Sequence, residues 1–244
     1  MRLQLEVAYH GGNLNGWQSQ ACGNTVQDHL ERAFSALCPG FVSVQGAGRT
    51  DAGVHAEAQS AHADVMPDRM NPREWILALN AHLPETIRIM KIREVSDDFH
   101  ARFSAKGKIY RYTVWNAPAM HPLIKDRAWH VPGELDLKKL QSACALFTGT
   151  HDFAAFSLRR SEGPEMTVRT ITSIECEKSD ERLELTFEGE GFLYKMVRIL
   201  SAAAVRHASG RVGLDELASQ LQKPLPAFNQ SAPAAGLCLQ RVIY

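Results

Sequence analysis

The most unusual stretch of this sequence is Gly46-Ala47-Gly48-Arg49-Thr50-Asp51-Ala52-Gly53-Val54-His55-Ala56. Three glycines within eight residues let the backbone turn sharply and approach a ligand closely. They bracket a cation, Arg49, and a carboxylate, Asp51. One use of such a loop is to cradle phosphate. The spacing fits neither G-x-x-x-x-G-K-[ST] nor G-x-G-x-x-G, and the central carboxylate would repel a phosphate. Another use is a plain structural turn in which Asp51 caps a neighbouring backbone. Taken alone, the residues leave open a structural turn and a loop that faces a ligand. Metal chemistry has no support, because the ten histidines form no H-E-x-x-H and no His/Cys cluster at ligand spacing. The five cysteines are widely spaced and contain no C-x-x-C, which fits reduced thiols rather than a disulfide framework.

The loop needs elements to hold it. Leu3, Leu5, Val7 and Tyr9 alternate with polar or small residues, the period of a strand with one buried face. Thr25 to Asp28 reads as a helix start, followed by Val26, Leu30, Ala33, Phe34 and Leu37 at helical spacing until Pro39-Gly40. Val42 and Val44 open a short strand before the loop, and Gln59 to Val65 form another after it. Asn71-Pro72-Arg73-Glu74 combines a cap, a proline in the first turn and a glutamate three residues after the cap. Ile87 to Val95 is the next strand. The first half therefore reads β-α-β-β-α-β, the ferredoxin-like order. The second half offers strands at 109–115, 169–176, 183–187 and 237–244, and helices from Asp136, over Phe192 to Ala208 and over Leu214 to Leu221. The expectation is an α+β protein of two ferredoxin-like halves, residues 1–105 and 106–244, with a largely antiparallel central sheet. No Pro/Gly/Ser-rich linker separates them, and no residue-level repeat is evident.

At 244 residues the chain can bury one large core or two small ones. No window approaches the ~18 apolar residues of a membrane span. The N-terminus has no apolar run, so a secretory signal is not expected, and a cytoplasmic location is. Lys and Arg balance Asp and Glu at a formal net charge of zero, which by itself argues weakly against a nucleic-acid partner.

Several blocks carry a resemblance to a known family. Gly48 to Ala56 closely resembles the signature loop of the TruA family of tRNA pseudouridine synthases. Phe99-His100-Ala101-Arg102-Phe103-Ser104-Ala105 followed by Lys108-Ile109-Tyr110-Arg111-Tyr112 is similar to its second block. His151 to Phe156, Gly191 to Arg198 and Gly236 to Leu239 are similar to the remaining ones. The blocks keep the family's order and span almost the whole chain. The resemblance implies a pseudouridine synthase fold. It also implies isomerisation of uridine at positions 38, 39 and 40 in the anticodon stem-loop region of tRNA, without metal or cofactor, by a homodimer.

It assigns roles residue by residue. Asp51 is the catalytic carboxylate and Arg198 the cation that keeps it ionised. An arginine suits that task because it stays charged and can pair in bidentate fashion. Tyr110 stacks on the flipped uracil, and Leu237 is the apolar residue against it. From pattern alone both are equally core residues of strands. Arg49 is placed near the flipped nucleotide, although it could instead fix the loop through backbone carbonyls. Phe99, His100, Ala101, Arg102 and Phe103 form an RNA-contacting block. Arg159 and Arg160 are RNA contacts or a solvated pair. Pro118 departs from the family where a basic residue often follows the second block.

The zero net charge conceals a pattern. Residues 100–111 and 191–211 each carry four basic residues and no acid, whereas residues 175–190 carry seven acids against Lys178 and Arg182. Arg102, Lys106, Arg111, Lys195 and Arg206 are therefore expected on one positive surface near Asp51, with residues 175–190 off that track.

Overall fold

The structure, a computed structural model, describes residues 1–21, 23–66, 70–158, 166–222, 228 and 230–244. Its contacts divide the chain into two compact units, Met1–Lys106 with Cys238–Tyr244, and Gly107–Leu237.

The first unit opens with β1 (Arg2–Tyr9), whose side chains alternate between half-buried and buried as the period-2 pattern requires. Helix α1 (Val26–Leu37) starts at Thr25 through a capping box. The Thr25 hydroxyl accepts from Asp28 N–H, and the Asp28 carboxylate accepts from Thr25 N–H. Helix α2 (Pro72–His82) repeats the device with Asn71 and Glu74. Each such cap is worth about 1 kcal/mol. Strands β2 (Val44–Gly46), β3 (His55–Asp64) and β4 (Ile87–Val95) complete the N-terminal sheet. Strand β1 pairs antiparallel with both β3 and β4, and β2 pairs antiparallel with β3. Leu3, Leu5 and Val7 point to one side with Val26, Leu30, Phe34, Trp75 and Leu79, all at most 2% exposed. Full burial of each is worth roughly 1.5–3 kcal/mol.

Strand β3 begins at His55, four residues earlier than its pattern suggests. Its first half is rich in alanine, so no β-branched alternation marks it. What fixes it is a partner far off in sequence. Strand β10 (Leu237–Ile243) pairs in parallel with it, Cys238 opposite His55 and Leu239 opposite Ala56. The C-terminus is held here as well. Lys106 N–H donates to Ile243 O, and the Tyr244 hydroxyl bonds to Ser60 Oγ and Ala101 O.

In the second unit, β5 (Gly107–Trp115), β9 (Arg182–Gly189), β8 (Val168–Ser179) and β7 (Gly149–Asp152) pair antiparallel in that spatial order. The short β6 (Trp129–His130) pairs in parallel with β5. Residues 116–128 supply the crossover, of the dozen or so residues that a parallel pairing needs. Helices α3 (Leu137–Phe147), α4 (Met196–Ala208) and α5 (Leu214–Gln222) accompany the sheet. Most of α4 is buried all round, which its run of apolar and small residues allows.

The protein is thus α+β, but the sheet is mixed rather than purely antiparallel. Parallel pairings involve β6 and β10, both reached by long connections. Alongside β5, α3, β8, β9 and α4, the second unit has β6 and β7 as short strands that the sequence pattern did not suggest, and β10 pairs with β3. The long helix also starts at Met196, not Phe192. Lys195 sits at φ 59°, a left-handed conformation that interrupts helix, and Leu193 N–H bonds to the Met196 sulfur.

Candidate active site

The Gly46–Ala56 loop links β2 to β3 and is held from both sides within the first unit. Ala47 N–H donates to Ser60 O at 2.8 Å, and the Gln59 side chain donates to Gly48 O at 2.9 Å. Trp17 N–H donates to Thr50 O at 3.1 Å, and Gly53 N–H donates to Leu14 O at 3.2 Å. The buried Thr50 hydroxyl bonds to the Tyr9 hydroxyl at 2.8 Å. Val54 N–H closes the turn on Asp51 O at 3.1 Å. Asp51 itself is half-buried at the loop's tip. Bonds to the residues on either side fix the backbone from which its carboxylate projects.

A segment that the motif reading did not single out backs this loop. In Gly11-Gly12-Asn13-Leu14-Asn15-Gly16-Trp17, Gly11 and Gly16 lie against the loop backbone. A Cβ on Gly11 would stand 2.0 Å from Val54 O, and one on Gly16 would stand 2.5 Å from Thr50 O. Gly16 also has φ +85°, a conformation glycine adopts without strain. On the other side the Trp17 ring fills the space that a Cβ on Gly46 would need, at 2.4 Å. The signal available in sequence was the Gly/Asn cluster itself, which marks a turn but not what the turn supports.

Arg49 is exposed, and its Nε donates to Gln18 Oε1 at 3.1 Å. Its head lies at the surface beside the loop, tied to a side chain and not to the loop's own carbonyls in that bond. Phe99 to Phe103 form a turn docked on β2 and β3. The His100 ring bonds to Gln45 on β2, and Ala101 N–H donates to His62 on β3. Within the block the side chains divide. Ala101 is fully buried, so its methyl offers no surface to RNA. Phe99 packs its ring against Tyr244 at 5.0 Å. Arg102 and Phe103 are exposed, with the guanidinium 5.6 Å from the ring centre.

In the second unit, Tyr110 lies on β5 opposite Phe187, 8% exposed, with Phe192 edge-on at 5.3 Å. Tyr112 shares that face and is fully buried. Its hydroxyl donates to Pro233 O at 2.8 Å. Burial pushes the Tyr112 phenol well above its ordinary range, against the opposing pull of the Arg198 charge. Arg198 projects from the first turns of α4, and its Nε donates to Ala232 O at 2.8 Å. Ala232 N–H returns a bond to Arg198 O at 3.1 Å, so the guanidinium is aimed by a two-point tie. Leu237 is buried at the start of β10. Arg159 and Arg160 lie outside the described residues.

The charge pattern resolves by strand alternation. Tyr110 and Tyr112 face the same side as Phe187, Leu185, Ile174 and Cys176. Arg111 and Glu175, Glu177, Glu184 and Glu188 take the other side. The acids of β8 and β9 are therefore on the face opposite Tyr110. Arg111 lies on their side of the sheet and pairs with Glu184 at 3.6 Å, which offsets its charge. A one-residue offset from Tyr110 decides this, because successive strand residues point to opposite faces. Among the described residues no helix is long and apolar enough to cross a membrane, and no cluster of His, Cys, Asp or Glu could hold a metal ion.

A family model described as tRNA pseudouridine synthase matches residues 7–104 and 143–244. A "tRNA pseudouridine synthase A" of Akkermansia muciniphila is 46% identical over 252 residues, covering 100% of this chain and 95% of that one. A protein of the same name from Acetivibrio thermocellus is 39% identical over 249 residues, covering 99% of both chains. Another from Solidesulfovibrio magneticus is 41% identical over 256 residues, covering 100% of this chain and 91% of that one. The match runs through the Asp51 loop, the strap that backs it and the α4 segment carrying Arg198, and the chain belongs to the tRNA pseudouridine synthase family.

Proposed function

We propose that this isomerase converts uridine to pseudouridine at positions 38, 39 and 40 in the anticodon stem-loop region of tRNA, acting as a cytoplasmic homodimer without metal or cofactor. In that reaction the uracil N1–C1′ bond breaks and a C5–C1′ bond forms. The C5 proton leaves and N1 takes up a proton, so nothing is oxidised and no atom of the nucleobase skeleton is lost. Asp51 is the catalytic carboxylate. The observation that carries this reading is the loop itself: a half-buried carboxylate whose flanking backbone is pinned at Ala47, Gly48, Thr50 and Gly53.

The division of labour follows the chain. The N-terminal half, with a strand pairing of ferredoxin-like order, presents Asp51 and the RNA contacts Arg49, His100, Arg102 and Phe103. The C-terminal half presents Tyr110, Arg198 and Leu237. Tyr110 stacks on the uracil once it is flipped out, replacing lost stacking worth roughly 1–3 kcal/mol per base. Its edge-on contact with Phe192 sets the ring plane that such a base would meet. Arg198 is the cation that the proposed chemistry assigns to the Asp51 carboxylate.

Single-turnover modification of tRNA carrying uridine at 38, 39 and 40 tests the reading, with wild type and Asp51→Asn side by side. The wild type should form pseudouridine at those positions. Asn keeps the shape of the side chain and removes its charge, so the variant should form none while tRNA binding stays within a few fold. A wild type that leaves all three positions unmodified would overturn the substrate, and an active Asp51→Asn the role of Asp51.

A further inference from the structure

The turn at Phe99–Ser104 is held by an unusual set of acceptors. Imidazole nitrogens accept three of its backbone N–H groups. His100 Nδ1 accepts from Arg102 N–H at 3.1 Å and Phe103 N–H at 3.3 Å. His62 Nδ1, from β3, accepts from Ala101 N–H at 3.2 Å. An imidazole nitrogen that accepts from N–H carries no proton, so both rings are neutral with hydrogen on Nε2. For His100 the other end agrees, since its Nε2 then donates to Gln45 Oε1 at 3.0 Å. The two rings meet edge to face at 4.6 Å, and Phe103 lies 4.3 Å from the His100 ring. What this scaffold presents outward is Phe103, 77% exposed, with Arg102 beside it.

We infer that His62 and His100 are positioning residues for tRNA binding: as neutral rings they hold the turn that offers Arg102 and Phe103 to the RNA, and protonation of either ring releases it. The inference rests on the proposed tRNA substrate. Its mechanism is local. A proton on Nδ1 turns an acceptor into a donor that faces the N–H groups it had been holding. The charged groups around the pair set how readily this happens. Arg2, bonded to the carbonyls of Asp97 and Phe99, opposes a charge on His62. His100 also opposes a charge on His62. Asp64 favours protonation of His62, but its carboxylate is engaged by Arg2 in two bonds of 2.8 and 2.7 Å. Tyr244 closes the far side as a neutral phenol, donating to Ala101 O at 2.8 Å.

The test is tRNA binding and turnover as a function of pH, for the full-length wild type, His100→Asn, His62→Asn and His100→Ala. An Asn side-chain oxygen can replace Nδ1 as acceptor and cannot be protonated near neutrality. For wild type, KM for tRNA should rise about tenfold as pH falls from about 7.5 to about 5.5, with kcat changing far less. His62→Asn should hold KM near the neutral-pH wild-type value and reduce the rise, and His100→Asn should reduce the rise measured against its own KM at about pH 7.5. His100→Ala should raise KM about tenfold at every pH. Asn variants that show the full wild-type acid rise, or an Ala variant with unchanged KM, would overturn the inference. Binding of tRNA by Asp51→Asn across the same pH range reads the effect without turnover. It therefore separates failure of this inference from failure of the proposed reaction.

Discussion

Gly16→Ala is the sharpest probe of how the Asp51 loop is held. Gly16 has φ +85°, and a Cβ there would stand 2.5 Å from Thr50 O and 3.0 Å from the Asp51 carbonyl carbon. Placing alanine in the left-handed region costs about 1–2 kcal/mol before any clash. The clash adds to it, because both neighbours are backbone. Ordinary contact begins at 3.4 Å, so Thr50 must retreat by roughly 0.9 Å. Its carbonyl holds the Trp17 N–H and its hydroxyl the Tyr9 hydroxyl, so that retreat strains both bonds. A total near 2–3 kcal/mol lowers Tm by about 5–10 °C in a protein of this size. The displacement passes directly to Asp51, and a misplacement near 1 Å costs up to ~10²-fold in rate. Gly40→Ala supplies the control. It has φ +84° and nothing within 4 Å of the point where a Cβ would stand, so it incurs the backbone cost alone. Thermal melts and single-turnover pseudouridine formation are the assays. Gly16→Ala should lose about 10- to 100-fold in rate, and Gly40→Ala should keep the wild-type rate with a smaller fall in Tm. Equal Tm losses with both rates intact would refute the claim that Gly16 braces the loop.

Two further expectations concern stability. Tyr112→Phe removes a buried hydroxyl that donates to Pro233 O, which should cost about 1–3 kcal/mol in denaturant unfolding. Because burial raises the Tyr112 pKa, the folded state keeps the phenol neutral while the unfolded state ionises near its ordinary value of about 10. Stability is therefore lost as pH rises past about 10, and less steeply in Tyr112→Phe; identical slopes would contradict this. On the acid side, burial first, then His100 and Arg2, hold the His62 pKa below its ordinary value. The unfolded chain takes up that proton first, so stability complete above about pH 6.5 falls as pH drops through the lowered folded value. Asp64, held low first by its bond to Arg2, adds a loss only at still lower pH, small because the pair is largely at the surface. Urea midpoints between pH 4 and 8 should show His62→Asn reducing the first slope, to which His29 also contributes through its lowered pKa, and keeping the second; an unchanged first slope would exclude His62 as a source.

Local chemistry was legible in the sequence wherever the interaction is local. Thr25 with Asp28 and Asn71 with Glu74 cap their helices because a capping box is closed within four residues. Strand β4 has the bounds its pattern gives, Ile87–Val95, since alternation and flanking breakers lie in the strand itself. The unusual composition of the Asp51 loop was equally visible, and the resemblance of its residues to one family carried the function. The alanine-rich start of β3, the left-handed Lys195 that delays α4, and the two-residue β6 left no periodic trace.

The tertiary structure decided what depends on partners distant in sequence. Pairing of β10 with β3 takes the C-terminal strand into the first unit, and no local pattern names a strand's neighbour. Gly11 and Gly16 were not singled out in the sequence, and only folding shows the loop backbone lying against them. The segments 100–111 and 175–190 were counted as a basic and an acidic run, yet Arg111 joins the acids through Glu184 because charge is summed along a chain but felt across a sheet face. His62 carried no motif at all. It became a candidate when the fold set its ring nitrogen against the Ala101 amide, a contact between residues 39 apart.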